Sequence, residues 1–262
     1  MNHLLGSGFY AQVYQSRQAG KLVIHKCYFA SPFAPLLCVQ ECHSWLLLNP
    51  YLGSLNLGEQ QPARQSPLSW SGVMLSGQPM GWQSYLNEPW QRFLSAWFAT
   101  EPKPARLSLR QQLASCWPIA KLALGTLPKG LADYMQSALL SGMARADDQP
   151  RWDWLTHGDL HWQNLLWQEQ SLSALIDPWQ SGFRHSVWEQ AMMLQPQALQ
   201  WWQASDNLRP QPFEWLWLAR VLMDLQHLFY VPNWSSEEYF KSLCSVHQSG
   251  DWLAWSLVEP VC

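Results

Sequence analysis

Charge is what this 262-residue chain has least of. Asp, Glu, Lys and Arg make up 13% of it, about half the usual share, and the net charge is −3. A nucleic-acid surface needs a clustered Lys/Arg excess, so that class of partner is excluded. Long apolar runs are missing too. Trp45-Leu46-Leu47-Leu48 is among the longest, far short of the roughly 20 residues that span a bilayer. Met1-Asn2-His3-Leu4-Leu5-Gly6 has neither a basic n-region nor an apolar h-region, so a soluble, cytoplasmic protein with no membrane partner is expected. Six cysteines, at 27, 38, 42, 116, 244 and 262, are irregularly spaced. Cys38 and Cys42 sit one helical turn apart, yet no CxxC or His/Cys pair completes a zinc set. All six are read as reduced thiols.

What the chain does have is apolar bulk. Hydrophobic residues reach 48% and Trp alone numbers 19, which rules out disorder and puts much of the buried area on aromatic faces. The length suits one large domain or two small lobes. Gln12–Arg17 alternates, Gln18-Ala19-Gly20-Lys21 reads as a turn, and Leu22–Tyr28 is β-branched and aromatic. Ser31-Pro32 starts a helix that runs over Leu36–Leu48 and ends at Asn49-Pro50. A strand pair is expected at Leu55–Gly58 and Trp70–Leu75. The break at Ser76–Gly81 puts a boundary between residues 1–77 and 78–262. The spacing then predicts helices over Trp90–Ala99, Ser108–Leu124 (bent or split at Pro118), Lys129–Ala144, 187–203, 213–230 and 235–247. Short strands fall at Trp154–Thr156, Leu165–Trp167 and Leu172–Ile176. Strands first and helices after, with one embedded hairpin, make an α+β arrangement.

Two of the nine Asp fall at strand ends, in Thr156-His157-Gly158-Asp159-Leu160-His161-Trp162-Gln163-Asn164 and in Ala174-Leu175-Ile176-Asp177-Pro178. Asp159 and Asn164 are spaced D-x-x-x-x-N, the spacing of a kinase catalytic loop, where the carboxylate meets the nucleophile and the amide a metal ion. Asp177 closes an apolar strand, where a carboxylate needs a cation. Together these are hard oxygen ligands of the kind Mg²⁺ takes beside substrate phosphates. Each Asp alone would also serve as a turn or helix cap. A second pattern lies upstream. Leu5-Gly6-Ser7-Gly8-Phe9-Tyr10-Ala11-Gln12-Val13 is G-x-G-x-x-A-x-V running into a strand, which suits a loop over phosphates rather than a Rossmann turn. A plain hairpin would use the same glycines. Lys26, one of six Lys, ends the next strand and resembles the strand lysine that meets α- and β-phosphates. Glu41, fifteen residues on among Cys38, Val39, Trp45 and Leu46, is its natural partner, although an ordinary surface pair would read the same way.

His157-Gly158-Asp159-Leu160-His161-x-x-Asn164 with Ile176-Asp177-Pro178 resembles the aminoglycoside phosphotransferase, choline kinase and fructosamine kinase superfamily, small-molecule relatives of protein kinases. The resemblance covers roughly residues 4 to 194. It takes in the Gly loop, Lys26, Glu41 and Glu189, which lies where the family has an acidic residue opening a helix. It implies a bilobal α+β fold with a small strand-rich nucleotide-binding lobe, 1–77, and a larger helical catalytic lobe, 78–262. It implies ATP under Gly6, Ser7 and Gly8, held by Lys26 and Glu41, and Mg²⁺ on Asn164 and Asp177. Asp159 is then the base toward an acceptor hydroxyl, with His157 supporting the loop and His161 near substrate or metal. The chain departs from the pattern at Ala11, which replaces the third glycine, while Pro178 replaces the Phe-Gly of protein kinases but matches several small-molecule kinase branches. Met74-Leu75-Ser76-Gly77 lacks the usual acidic residue, which leaves adenine or guanine open.

Two rival readings of the same residues are a metal hydrolase using His157, Asp159 and His161, and a catalytically weak, kinase-like nucleotide-binding protein. On the acceptor, residues 187–262 scatter their carboxylates and are dense in aromatics, Trp188, Trp201, Trp202, Trp215, Trp217, Phe229, Tyr230, Trp234 and Tyr239. Aromatic faces suit a sugar or an amino alcohol better than a polycationic aminoglycoside. Most of these rings are nevertheless expected in the core.

Overall fold

A computed structural model describes residues 3–8, 10–79, 88–149, 151–169, 171–193, 211–231 and 237–250. Two compact units divide the chain: one runs to Thr100 and takes back His157–Gly182, the other holds Glu101–Thr156 and everything from Phe183 onward.

The first unit opens with β1 (His3–Ser7), β2 (Ala11–Gln18) and β3 (Lys21–Tyr28). Ala19 and Gly20 both take positive φ, 49° and 80°, so the two-residue β2–β3 turn matches the twist of its strands. After α1 (Ala34–Ser54) come β4 (Ala63–Ser66) and β5 (Ser69–Val73), giving an antiparallel sheet in the order β1-β2-β3-β5-β4. A second sheet orders β10 (Ser171–Leu175), β9 (Leu165–Gln168) and the two-residue β6 (Gln78–Pro79). The unit also holds α2 (Glu88–Phe98), whose Trp90, Leu94 and Trp97 recur at helical spacing and are buried.

Helix α1 positions the site. Ser31 Oγ accepts from the Ala34 amide at 3.1 Å, and a proline stands in the first turn, where no amide is needed. Leu37, Cys38, Glu41, Ser44, Trp45, Leu48 and Leu52 form its buried stripe, so Glu41 faces inward with the apolar residues. The helix does not end at Asn49-Pro50 as expected; it runs on to Ser54. Pro50 is exposed and removes one helical hydrogen bond at the solvent side. Nor is Leu55–Gly58 a strand. The Leu55 amide still bonds the Tyr51 and Leu52 carbonyls, so the segment caps α1, and β5 pairs with Ala63–Ser66 instead.

The second unit contains β7 (Lys103–Pro104), α3 (Leu109–Leu124), α4 (Lys129–Arg145), β8 (Trp152–Thr156) and β11 (Gly182–Arg184). It ends with α5 (Val187–Met192), α6 (Phe213–Tyr230) and α7 (Glu237–Ser249), and its strands order β11-β8-β7. Ser108 and Gln111 close a capping box on α3, and Pro118 lies inside that helix without splitting it. Leu113, Ala120, Met135, Leu139, Trp188, Trp217, Leu222 and Phe240 are buried here. The expected helix over 187–203 is observed to Met192; its remainder from 194 lies outside the described residues. Four of the aromatics of this region serve packing, and Trp215 and Phe229 are half-buried. Trp188, Trp217, Tyr230 and Tyr239 are buried, and both indole N–H groups are satisfied internally, by Gln112 Oε1 at 3.0 Å and the Leu243 carbonyl at 2.9 Å. Trp201, Trp202 and Trp234 lie outside the described residues. The five described cysteines are all unpaired. Among the described residues no helix is long and apolar enough to cross a membrane.

Candidate active site

Lys26 and Glu41 meet because strand and helix each turn one face inward. In β3, Lys26 pairs with Val13 of β2 and Trp70 of β5, which fixes its register at the middle of the sheet. Its Nζ lies 3.1 Å from Oε1 and 2.9 Å from Oε2 of Glu41, and 2.9 Å from Oδ1 of Asp177. One buried cation thus bridges two carboxylates that are far apart in sequence. Burial works against the ammonium, but Asp177 and Glu41 outweigh it and hold the lysine above its ordinary pKa. Burial likewise pushes the Glu41 carboxyl up, while Lys26 and a hydrogen bond from the Tyr28 hydroxyl pull it back.

The segment His157–Asn164 is held by hydrogen bonds within itself and to residues 176–181. The Asn164 amide nitrogen donates to the Asp159 carbonyl at 2.9 Å and to Asp159 Oδ2 at 3.0 Å. Two acceptors on that side fix the amide's orientation and leave Oδ1 as the atom open to a cation. His161 Nε2 stands 3.5 Å from Asp159 Oδ2 and 3.1 Å from Asn164 Nδ2. Gly158 has φ +85°, and a Cβ there would meet the Trp179 carbonyl oxygen at 1.6 Å, so the glycine is required twice over. The His157 ring is fully buried and its pKa is lowered to about 4, by burial first. Its carbonyl accepts from the Trp179 amide at 3.1 Å and Ser181 Oγ at 2.5 Å. The Ser181 amide in turn donates to Ser44 Oγ at 3.1 Å, one turn beyond Glu41 on α1. The Ile176 amide bonds the Asn164 carbonyl at 2.9 Å, which sets Asp177 beside Asn164. Asp177 itself takes φ +54°, a strained conformation that Asp tolerates better than most.

Above this floor the β1–β2 hairpin carries Gly6 and Gly8. Both have ordinary φ and nothing within 4 Å of a Cβ, so the protein's own packing gives no reason for glycine at either place. Open space over a glycine loop fits the close approach of a phosphate chain. Asp177, 49% exposed, and Asn164 Oδ1 are hard oxygen donors of the kind magnesium takes, so the residues present fit a metal-bound nucleotide. At the loop's turn, Tyr10 stacks on Trp179 with ring centroids 5.5 Å apart and planes 6° from parallel.

Comparison with known proteins bears on the fold. No protein-family model and no curated protein matches the sequence. Solved structures do match. The aminoglycoside phosphotransferase APH(4)-Ia, as the apo form of a thermostable mutant, has a TM-score of 0.61 at 15% identity, covering 98% of this chain and 91% of that one. The choline kinase LicA from Streptococcus pneumoniae has 0.60 at 14% identity, over 96% and 88%. An ethanolamine kinase from Plasmodium vivax has 0.54 at 12% identity, over 98% and 80%. The fold is protein-kinase-like. The mixed α+β arrangement with a strand-rich N-terminal sheet and a helical C-terminal region agrees with the expectation from sequence. A mutant of the same phosphotransferase was solved in a ternary complex with ADP and hygromycin B.

Within this kinase-like fold, Gly6, Ser7, Gly8, Lys26, Glu41, His157, Asp159, His161, Asn164 and Asp177 all fall in the first unit. Glu189 falls in the second, fully buried in α5, with Arg184 as a cationic neighbour. The hydrolase arrangement is not assembled. The His157 ring is sealed in the interior, and among the described residues no three His, Cys, Asp or Glu side chains gather as a metal site. Sequence reasoning missed Tyr28, Ser44 and Ser181. Tyr28 was within reach, because a residue two beyond Lys26 on a strand points to the same face. The Ser44–Ser181 bond spans 137 positions and leaves no local signal.

Proposed function

We propose that this chain is an ATP-dependent small-molecule kinase, passing the γ-phosphoryl group to an acceptor hydroxyl. The observation that carries this reading is Lys26, a buried cation held between Glu41 and Asp177, in the same unit as the Asp159–Asn164 pair. The division of labour follows the sequence: a nucleotide-binding lobe, 1–77, and a catalytic and acceptor-binding remainder, 78–262. Gly6, Ser7 and Gly8 cover the phosphates, and Lys26, oriented by Glu41, neutralises them. Asn164 Oδ1 and Asp177 would hold magnesium, which supplies charge neutralisation along the phosphate chain.

Asp159 orients the acceptor hydroxyl and takes its proton as the oxygen bonds to phosphorus and the bond to the ADP leaving oxygen breaks. The Asn164 amide keeps Asp159 aimed by bonding both its carbonyl and its carboxylate. His157 supports the loop from the interior, His161 lies at the edge of the acceptor's path, and Glu189 braces the second unit through Arg184. Rate then comes from positioning and electrostatics rather than covalent chemistry.

A sugar or amino alcohol is favoured over an aminoglycoside. Every described carboxylate from residue 187 on already has a cation beside it: Glu189 has Arg184, Glu214 has Arg145, Asp224 has Arg220, and Glu237 and Glu238 share Lys241. A polycation would find few spare charges there. The test is coupled ADP release with magnesium and ATP over hexoses, fructosamines, choline, ethanolamine and a kanamycin-type aminoglycoside. Turnover on one of the first four supports the reading. Turnover on the aminoglycoside alone would overturn the acceptor choice, and none on any acceptor with no ATP binding would overturn the kinase assignment.

A further inference from the structure

Glu41 is 4% exposed, and among the described residues the one cation paired with it, Lys26, is also held by Asp177. The two carboxylates are not in equal need. Asp177 is half exposed and water can solvate it, whereas Glu41 has lost its water. A buried carboxylate whose single cation is shared requires another donor, and the structure supplies one. Tyr28, two residues after Lys26 on β3, points to the same face, and its hydroxyl donates to Glu41 Oε2. The phenol is well fixed: its ring is buried, and its amide bonds the Leu68 carbonyl at 2.8 Å. Burial, with Glu41 beside it, raises the Tyr28 pKa, so the hydroxyl keeps its proton and acts as the donor.

We propose that Tyr28 is a positioning residue that locks the Glu41 carboxylate in place, so that Glu41 stays aligned when Lys26 leaves Asp177 for a nucleotide phosphate. This rests on the reading of Lys26 as the phosphate-binding lysine. Without the hydroxyl, Glu41 would depend on Lys26 alone, and each turn of Lys26 toward another anion would leave a buried oxygen unpaired. With it, Glu41 has a donor that no ligand competes for.

Tyr28→Phe isolates the hydroxyl, because it keeps the ring, its packing and the ring's position 5.8 Å from Lys26 Nζ. Calorimetric titration with magnesium ATP should show roughly ten-fold weaker binding in Tyr28→Phe than in the native protein, the size expected for one hydrogen bond to a charged group. In a Glu41→Gln background the same substitution should change binding less than about two-fold. Melting of the ligand-free proteins should show the same coupling. Equal binding by native and Tyr28→Phe protein would overturn the proposal, as would an effect undiminished by Glu41→Gln. If Tyr28→Phe alone fails to fold, the double variant decides. A folded double variant supports the coupling, because it removes the stranded charge, and an unfolded one contradicts it. If the native protein binds no magnesium ATP, the kinase reading fails separately, and the melting cycle still tests the Tyr28–Glu41 contact.

Discussion

Asp159 sits at the centre of a small set of fixed bonds, and its partners show which property a substitution removes. Asp159→Asn keeps the shape and loses the ability to take a proton. Phosphoryl transfer should fall by roughly 10²–10⁴-fold, while magnesium ATP binding stays within a few-fold, since the proposed mechanism gives Asp159 to the acceptor rather than to the nucleotide. Steady-state turnover alongside calorimetry checks the split, and full turnover in the variant would overturn the proposed role of Asp159 as base. The residue scale is also where the sequence was most legible. D-x-x-x-x-N spacing announces a carboxylate and an amide in one turn, and the Asn164 to Asp159 bonds occupy that turn. Gly158 was legible only as part of the motif. Its reason, the Trp179 carbonyl oxygen 1.6 Å from where a Cβ would stand, depends on a residue far along the chain.

At the scale of elements, α1 departs most from what its sequence suggests. Asn49-Pro50 reads as a stop, yet the helix passes through Pro50 because that residue lies on the exposed side and Leu52 beyond it is buried. Tertiary burial overrode a local breaker. Asn49 was part of the misleading signal, but its side chain is engaged elsewhere, pairing with the Gln60 backbone at 2.5 and 3.0 Å. Pro50→Ala should therefore stabilise the protein by about 1–3 kcal/mol, the helix-interior penalty of proline reduced by the entropy it removes from the unfolded chain. Thermal melting measures this. A neutral or destabilising result would mean that the helix ends at Asn49 after all. The strands and the longer helices were easier to read, because alternation over Gln12–Arg17 and the i, i+4, i+7 series of α2 are local patterns. The two-residue strands β6 and β7 were not, since they exist only through partners at 166–167 and 152–153.

For the whole molecule, buried histidines set a limit on acid stability. His157 and His185 are each lowered to about 4, by burial first, from an ordinary 6.5. The unfolded chain protonates both rings near pH 6.5, and the folded protein does so only near pH 4. Between those values the unfolded chain binds more protons, so stability falls as pH drops through that window and is fully present above it. The His157 share is about 3 kcal/mol. Urea midpoints taken from pH 7 to pH 4.5 should show the decline, and His157→Gln should flatten it by about one proton. An unchanged slope would mean that His157 titrates normally.

The proposed kinase needs a magnesium-dependent nucleotide site that lies in one unit of the chain and ends on Asp177. Calorimetric titration with ATP, with and without magnesium, on the native protein and on Asp177→Ala tests it most directly. The native protein should bind ATP much more tightly with magnesium than without, and Asp177→Ala should lose that difference while remaining folded. Native binding that ignores magnesium, or a magnesium effect that survives Asp177→Ala, would contradict the account.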